Sequence, residues 1–484
     1  MKKNSITNNY IYNLIYQLFL IIIPLFTTPY LTRVLGAEKL GIYSYTYSIV
    51  TIFFLIAAIG INTYGQREIA YNQDNKKKRS IIFIELMIIR TFSTVLSLLF
   101  LILFSLITPR YSIYYQIFSI YIISNLFDIN WFYQGIEIFK SIAIKNITVK
   151  FFYFISIFLF IKDKSDLSTY IFLFSLSTLI TNLSFWIKIK KLIIVPKKNE
   201  IHPKRHLKHV ITFFIPQIAS LIYSVLDAAM IGIIDPDIKN VSYYEQASYI
   251  VKTTLIIITT MGSVMISKVS YAFSKNQKEK IVEYLSEIIH FVWFIGCALS
   301  FGIAAIIELF VPWYYGMNFL KVIPIVYVLC PLIIIIGLNN VIGMQYLVST
   351  KNQNKYIFAV SFGAIFNFIF NLILIKKFSA LGAAITSVSA ELLVLLIELH
   401  YIKKEIPNLK ILKNAANYII YGIIMFIITY QIGKFLPKNA IGSLIQIIIG
   451  MSIYISLLLI NKDKFINKHI IPYLKIIFHK KTEK

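Results

Sequence analysis

Charge is scarce in this sequence: 14% of its 484 residues are Asp, Glu, Lys or Arg, too few to clothe a soluble protein of that length. Acids are scarcer still, with 22 Asp and Glu against 48 Lys and Arg. There are two cysteines, Cys297 and Cys330, both inside apolar runs and without CxxC spacing. That excludes a disulfide framework and a thiolate metal site, and both read as small hydrophobes. No GxxxxGK[ST] loop occurs, which argues against direct ATP hydrolysis, and neither HExxH nor GxSxG is present. Long polar connections are missing as well. Segments such as 108–112 and 376–380 are too short to hold the ordered groups of an outer-face enzyme. We therefore expect no catalysis, no cofactor and no bound metal.

What remains is apolar sequence, 58% hydrophobic with a mean hydropathy of +0.72. Runs of about 20 apolar residues, the length that crosses a hydrocarbon layer, recur from end to end. Runs such as 281–311 do not alternate polar with apolar residues, so the spans are helices rather than barrel strands. The expected fold is an all-α polytopic membrane protein of about fourteen helices. They cover 10–32, 42–62, 81–108, 113–134, 146–161, 168–187, 211–233, 245–267, 283–311, 322–348, 356–375, 381–400, 414–433 and 440–460.

The net charge of +26 lies mainly in the short connections, which is the pattern of topology determinants rather than of nucleic-acid binding. The densest clusters, 72–80 and 188–209, fall on one side when connections alternate. The positive-inside rule places that side, and both termini, in the cytoplasm. Lys2 and Lys3 before an apolar stretch resemble a signal peptide. With no small-residue cleavage site following, the stretch reads as an uncleaved first helix.

The segment 188–209 separates six spans from the next six, and the two sets open alike. Ile23-Pro24 precedes Gly41 to Val50 in the first, and Ile215-Pro216 precedes Ser242 to Val251 in the second. Tyr43 then aligns with Tyr244, Ile49 with Ile250 and Val50 with Val251. An even period preserves orientation, so these are parallel repeats of the kind that flank a cavity opening to alternate sides in carriers. The expected organisation is an N-terminal six-helix lobe at 1–190, a basic cytoplasmic linker at 191–210 and a second six-helix lobe at 211–404. An appended helix pair with a basic tail follows at 405–484. Pro24, Pro29 and Pro216 lie within spans, where proline removes a backbone donor and bends the helix.

Ionisable groups inside the membrane are costly and tend to face a cavity or a partner. Arg33, Arg90, Lys150 and Lys252 are the candidate contacts for an anionic headgroup. Asp128, Asp227, Glu245 and Glu391 are candidate cavity or coupling acids. Glu85 and Arg90, five apart on one helix, are expected to pair imperfectly. Glu245 and Lys252 lie two turns apart on one face. Lys150 could equally snorkel to the interface. Glu308 and Glu398, near span ends, are expected to reach water, and His290 has the lowest claim to a role.

Pro29-Tyr30-Leu31-Thr32-Arg33-Val34-Leu35-Gly36, continuing to Gly41-Ile42-Tyr43-Ser44, resembles the opening of polysaccharide repeat-unit flippases. These are the O-antigen, capsule and exopolysaccharide translocases of the multidrug/oligosaccharidyl-lipid/polysaccharide exporter superfamily. Ile129-Asn130-Trp131-Phe132-Tyr133-Gln134-Gly135, ahead of Asn146 and Lys150, is similar to the same family. So are Tyr223 through Asp227 to Gly232, then Tyr243-Tyr244-Glu245. Asn367 to Asn371, Leu381-Gly382-Ala383-Ala384 and Glu391 match its later signature. Two places depart from the pattern: Tyr249 stands where the family usually has lysine, and Ile266-Ser267-Lys268 where it has Leu-Pro-Arg. Lys252 keeps a basic position.

The resemblance implies alternating-access transfer of undecaprenyl-pyrophosphate-linked oligosaccharides from the inner to the outer leaflet of a bacterial plasma membrane. Cations would hold the pyrophosphate. Without an ATP-binding loop, the energy must come from a gradient such as H⁺ or Na⁺, the membrane potential or substrate supply. Implied partners are the lipid-linked oligosaccharide, the bilayer, and the polysaccharide polymerase with its chain-length machinery. Three alternatives stay open: a cation-exporting antiporter of the same superfamily, a lipid II flippase, and, with less support, a polysaccharide polymerase or ligase.

Overall fold

The structure is a computed structural model that describes residues 6–406, 411–412 and 415–463. Among them the only regular secondary structure is helical. Two compact units, 1–242 and 243–484, divide the chain.

The first unit contains α1 (Ile6–Val34), α2 (Gly36–Ala58), α3 (Ile61–Tyr71), α4 (Lys76–Ile107), α5 (Ser112–Ser124), α6 (Asn130–Gly135), α7 (Phe139–Phe160), α8 (Leu167–Trp186), α9 (Ile189–Leu192) and α10 (Lys204–Ile234). Helix α4 shows why this unit suits a bilayer. Its inward face carries Ser93, Thr94, Ser97 and Ser105, all buried, while Phe92, Leu99, Leu103 and Leu106 point outward and are exposed. Polarity is thus reversed relative to a soluble helix. Small hydroxyls inside let helices approach and bond across their interface. Ser93 Oγ donates to the Ala57 carbonyl at 2.7 Å and Ser97 Oγ to that of Phe53 at 2.6 Å, fixing α4 on α2.

Glycine permits a second close approach, that of α10 to α2. A Cβ at Gly232 would lie 2.1 Å from the ring of Tyr45, and one at Gly41 2.2 Å from the Ile238 carbonyl oxygen. At the α3 end of the unit Ile61, Tyr64, Phe83, Leu86, Trp131, Phe132 and Phe185 form a buried core.

The second unit contains most of α11 (Lys239–Ser274), then α12 (Lys278–Tyr314), α13 (Val322–Leu329), α14 (Leu332–Asn339), a π-helical turn (Asn340–Val348), α15 (Gln353–Glu405), α16 (Ala415–Gly433) and α17 (Ala440–Ile460). Helix α15 is two helices joined at Ser379, whose φ of 58° and ψ of −135° are not helical. The appended pair α16 and α17 packs on α12. Gln446 of α17 donates to the carbonyls of Ala305 and Thr429, each at 3.0 Å, and Tyr454 donates to that of Phe294.

Nine helical stretches among the described residues are long and apolar enough to cross a membrane by length and composition. The chain is thus a multi-pass membrane protein. The fourteen expected spans are not reproduced as fourteen separate rods. Two of them are fused in α15, and that expected over 113–134 is broken between α5 and α6.

Candidate functional site

The break after α5 is where Arg90 acts. At 125–129 the chain leaves the helix, which exposes carbonyl groups that a hydrocarbon environment cannot satisfy. Side chains from neighbouring helices take them up. Asn182 donates to the Ser124 carbonyl at 2.9 Å, Trp186 to that of Phe127 at 2.9 Å and Trp131 to that of Asp128 at 3.2 Å. The Arg90 guanidinium, with no exposed surface, donates to the carbonyls of Asn125 and Asp128 and to Asn62 Oδ1, and pairs with Asp128 Oδ2 at 3.4 Å. The two candidates Arg90 and Asp128 are therefore brought together, as a buried clamp on an irregular backbone.

The expected pairing of Glu85 with Arg90 is corrected by the same geometry. Glu85 is wholly buried one and a half turns away and accepts from Arg205 Nη2 at 2.6 Å, His206 Nε2 at 2.8 Å and the His202 backbone N–H at 2.5 Å. His206 Nδ1 lies 2.7 Å from the Tyr64 hydroxyl. Nearby, Lys77 bonds Glu200, Arg79 donates to the Leu192 carbonyl, and Ser80 Oγ accepts from the Ile194 backbone. The segment expected as a linker is thus attached to α3 and α4 along much of its length.

Lys150 has different surroundings. It projects from α7 with its ammonium 5.4 Å from the ring centre of Tyr153 and 5.6 Å from that of Phe174, and it is half-buried. Those two rings belong to a box of aromatic residues packed on one another from four helices: Tyr43 and Tyr47 of α2, Phe118 and Tyr121 of α5, Tyr153 of α7, and Tyr170 and Phe174 of α8. Tyr43 stacks on Tyr47 at 5.7 Å, approaches Tyr170 at 4.8 Å, and Tyr47 meets Phe174 edge-on at 5.5 Å. The hydroxyl of Tyr170 lies near those of Tyr43 and Tyr153. Among the described residues no carboxylate forms an ion pair with Lys150. Ring faces hold the cation by their quadrupoles and leave its charge uncancelled. Such a group offers ring faces, hydroxyl donors and one positive charge. The aromatic partners follow from the fold, because no sequence spacing joins Tyr43 to Tyr170.

The other candidates are dispersed. Arg33 sits at the exposed end of α1, donating 2.6 Å to the Pro29 carbonyl of its own helix. Asp227 is buried on α10 in the first unit. In the second unit Lys252 is exposed and Glu245 half-buried on α11. Glu391 accepts a hydrogen bond from Asn339 Nδ2 at 2.6 Å. Glu308 is exposed, as expected, and accepts from Tyr327 and Tyr430. Glu398 is not: it has no exposed surface, since α15 continues past it and the π-helical turn covers it.

The polysaccharide biosynthesis protein family pattern matches residues 6–270. The "Putative O-antigen transporter" of Escherichia coli (strain K12) is 23% identical over 406 residues, which cover 83% of this chain and 97% of that protein. Among solved structures, the lipid II flippase MurJ in an inward closed conformation is similar with a TM-score of 0.71 at 19% identity, over 93% of this chain and 99% of that one. An inward-facing multidrug resistance MATE family transporter of the MOP superfamily gives 0.62 at 13%, over 80% and 95%. The helical architecture is thus the one those two transporters share. With the family pattern spanning more than half of the sequence, this chain belongs to the polysaccharide biosynthesis protein family.

Proposed function

We propose that the protein moves undecaprenyl-pyrophosphate-linked oligosaccharides from the inner to the outer leaflet of a bacterial plasma membrane. The observation that carries this reading is Lys150 beside its tyrosine box, a cation with no carboxylate partner among the described residues. Sugars present axial C–H faces to aromatic rings and hydroxyls to tyrosine, while a pyrophosphate seeks an unpaired ammonium. A cationic drug would be repelled by that same charge, which disfavours the antiporter alternative. Family membership and the named role of the Escherichia coli relative point the same way.

In this reading both termini face the cytoplasm and the two six-helix repeats alternate access. Arg33 and Lys252 supply further exposed cations, and Asp227 or Glu391 links transport to a H⁺ or Na⁺ gradient. The protein acts as a transporter rather than an enzyme, and passes its cargo to a polymerase on the outer face.

Deleting the gene in its host tests the assignment. Completed repeat units should accumulate on the cytoplasmic leaflet while surface polysaccharide is lost. Completed single units on the outer leaflet would instead mean that polymerisation fails, and a block in peptidoglycan precursors would mean that lipid II is the cargo.

A further inference from the structure

Glu398 is the most anomalous polar group in the second unit. Its side chain has no exposed surface, and neither carboxylate oxygen has a hydrogen-bond partner among the described residues. It faces Gly343 in the middle of the π-helical turn. A Cβ at Gly343 would fall 2.5 Å from Glu398 Oε1 and 2.7 Å from the ring of Tyr356. The carboxyl is thus packed against bare backbone and an aromatic ring, with no donor supplied.

Glu391 lies seven residues earlier on α15, two turns away on the same face, close enough for the two carboxyls to repel when charged. Glu391 has an amide partner in Asn339, at the start of the π-helical turn. Asn339 Oδ1 and, within the turn, Gln345 Oε1 are also buried acceptors without partners. The titratable groups nearest Glu398 are Tyr356 and Glu391. Tyr346 of the turn is committed to Glu405, at 2.6 Å, and Glu405 also takes Lys355. The region therefore holds several buried acceptors that lack a donor.

An ionised carboxylate cannot persist in such a place, because burial strips its hydration and no protein donor among the described residues replaces it. A proton is the smallest remedy, since it removes the charge and supplies the missing donor at once. A metal ion fits less well. It would need several oxygen ligands, whereas a ring and a glycine backbone occupy the approach to Glu398, and no group of three or more His, Cys, Asp or Glu side chains is gathered among the described residues.

We infer that Glu398 is a proton-binding site whose occupancy is read by the π-helical turn Asn340–Val348. The turn spans nine residues, longer than the single-turn bulges in which π geometry normally occurs and which mark functional positions. Loss of the proton leaves a charge that only opening of the turn can hydrate. Proton binding and release thus become a change in backbone register between α14 and α15. This inference does not depend on which cargo is carried.

Infrared spectroscopy of the full chain in liposomes tests it without any transport assay. At neutral pH the wild type should show a protonated carboxylic-acid band that is lost in Glu398→Gln and kept in Glu391→Gln. Protection of the 340–348 amides, after correction for the intrinsic rise of exchange with pH, should fall with pH in the wild type and stay constant in Glu398→Gln. Should the glutamine variant fail to fold, Glu398→Asp must keep the band at a shifted frequency. Identical carboxyl spectra in wild type and Glu398→Gln would overturn the assignment. So would loss of the band on adding Na⁺ at constant pH, which would make the site a metal site.

Discussion

Arg205 reaches Glu85 across 120 residues of sequence and grips it through two hydrogen bonds, 2.6 Å from Nη2 and 3.1 Å from Nε. The acid is wholly buried while the guanidinium is half-exposed. With His206 and the His202 backbone on the same carboxylate, the start of α10 is fastened to α4.

The arrangement makes the two partners unequal. Glu85→Gln turns an amide N–H₂ towards donors in a buried site and should cost about 2–4 kcal/mol. Arg205→Gln removes a half-exposed guanidinium with its two bonds while His206 and the His202 N–H still hold the carboxylate, and should cost about 1 kcal/mol or less. Thermal denaturation of the purified protein in detergent measures both, and equal losses would contradict this account.

Arg90 allows a related test of role. As a clamp on the α5–α6 break it should be required for folding: Arg90→Ala removes the counter-ion of Asp128 and one donor from each of two carbonyls, and should cost about 3–5 kcal/mol. Arg90→Lys should not rescue, because one ammonium cannot reach Asn62, Asn125 and Asp128 together. Normal thermal stability of Arg90→Ala, with only cargo transfer impaired, would return this residue to the binding site.

Much of this architecture is legible in the primary structure, for physical reasons. A run of about 20 apolar residues has one stable fate, a spanning helix, so the helices are read directly. Partners are not so readable. Glu85 and Arg90 share a helix, yet each pairs with a residue from another segment, because helix packing rather than sequence spacing brings charges together. The break inside 113–134 escapes notice because its carbonyls are satisfied by Asn182 and Trp186, which lie in a later helix. Lys150 is visible as an intramembrane cation, but its tyrosine box is assembled from α2, α5, α7 and α8. Glu398 looks like a span-end residue until the π-helical turn is seen to bury it.

Packing of α10 on α2 depends on an absent side chain. Gly232→Ala sets a methyl 2.1 Å from the Tyr45 ring and should destabilise the first unit by about 1–3 kcal/mol. Combining it with Tyr45→Leu should recover part of the loss, read as the melting temperature in detergent. No recovery would show that the clash lies elsewhere.

The tyrosine box gives the prediction closest to function. Lys150→Met keeps the length and apolar stem of the side chain but removes the charge, so the protein should insert and melt like the wild type. Lys150→Arg should retain much of the activity, because a guanidinium also sits over Tyr153 and Phe174 and binds pyrophosphate.

The most direct measurement is transbilayer movement of an undecaprenyl-pyrophosphate-linked oligosaccharide in liposomes holding the purified protein, scored by access of an external probe to the sugar. The account predicts movement with the wild type and a loss of tenfold or more with Lys150→Met at equal protein content, about 1.4 kcal/mol of binding or barrier. Equal movement with wild type and Lys150→Met, or none with the wild type while a drug cation is carried, would contradict it.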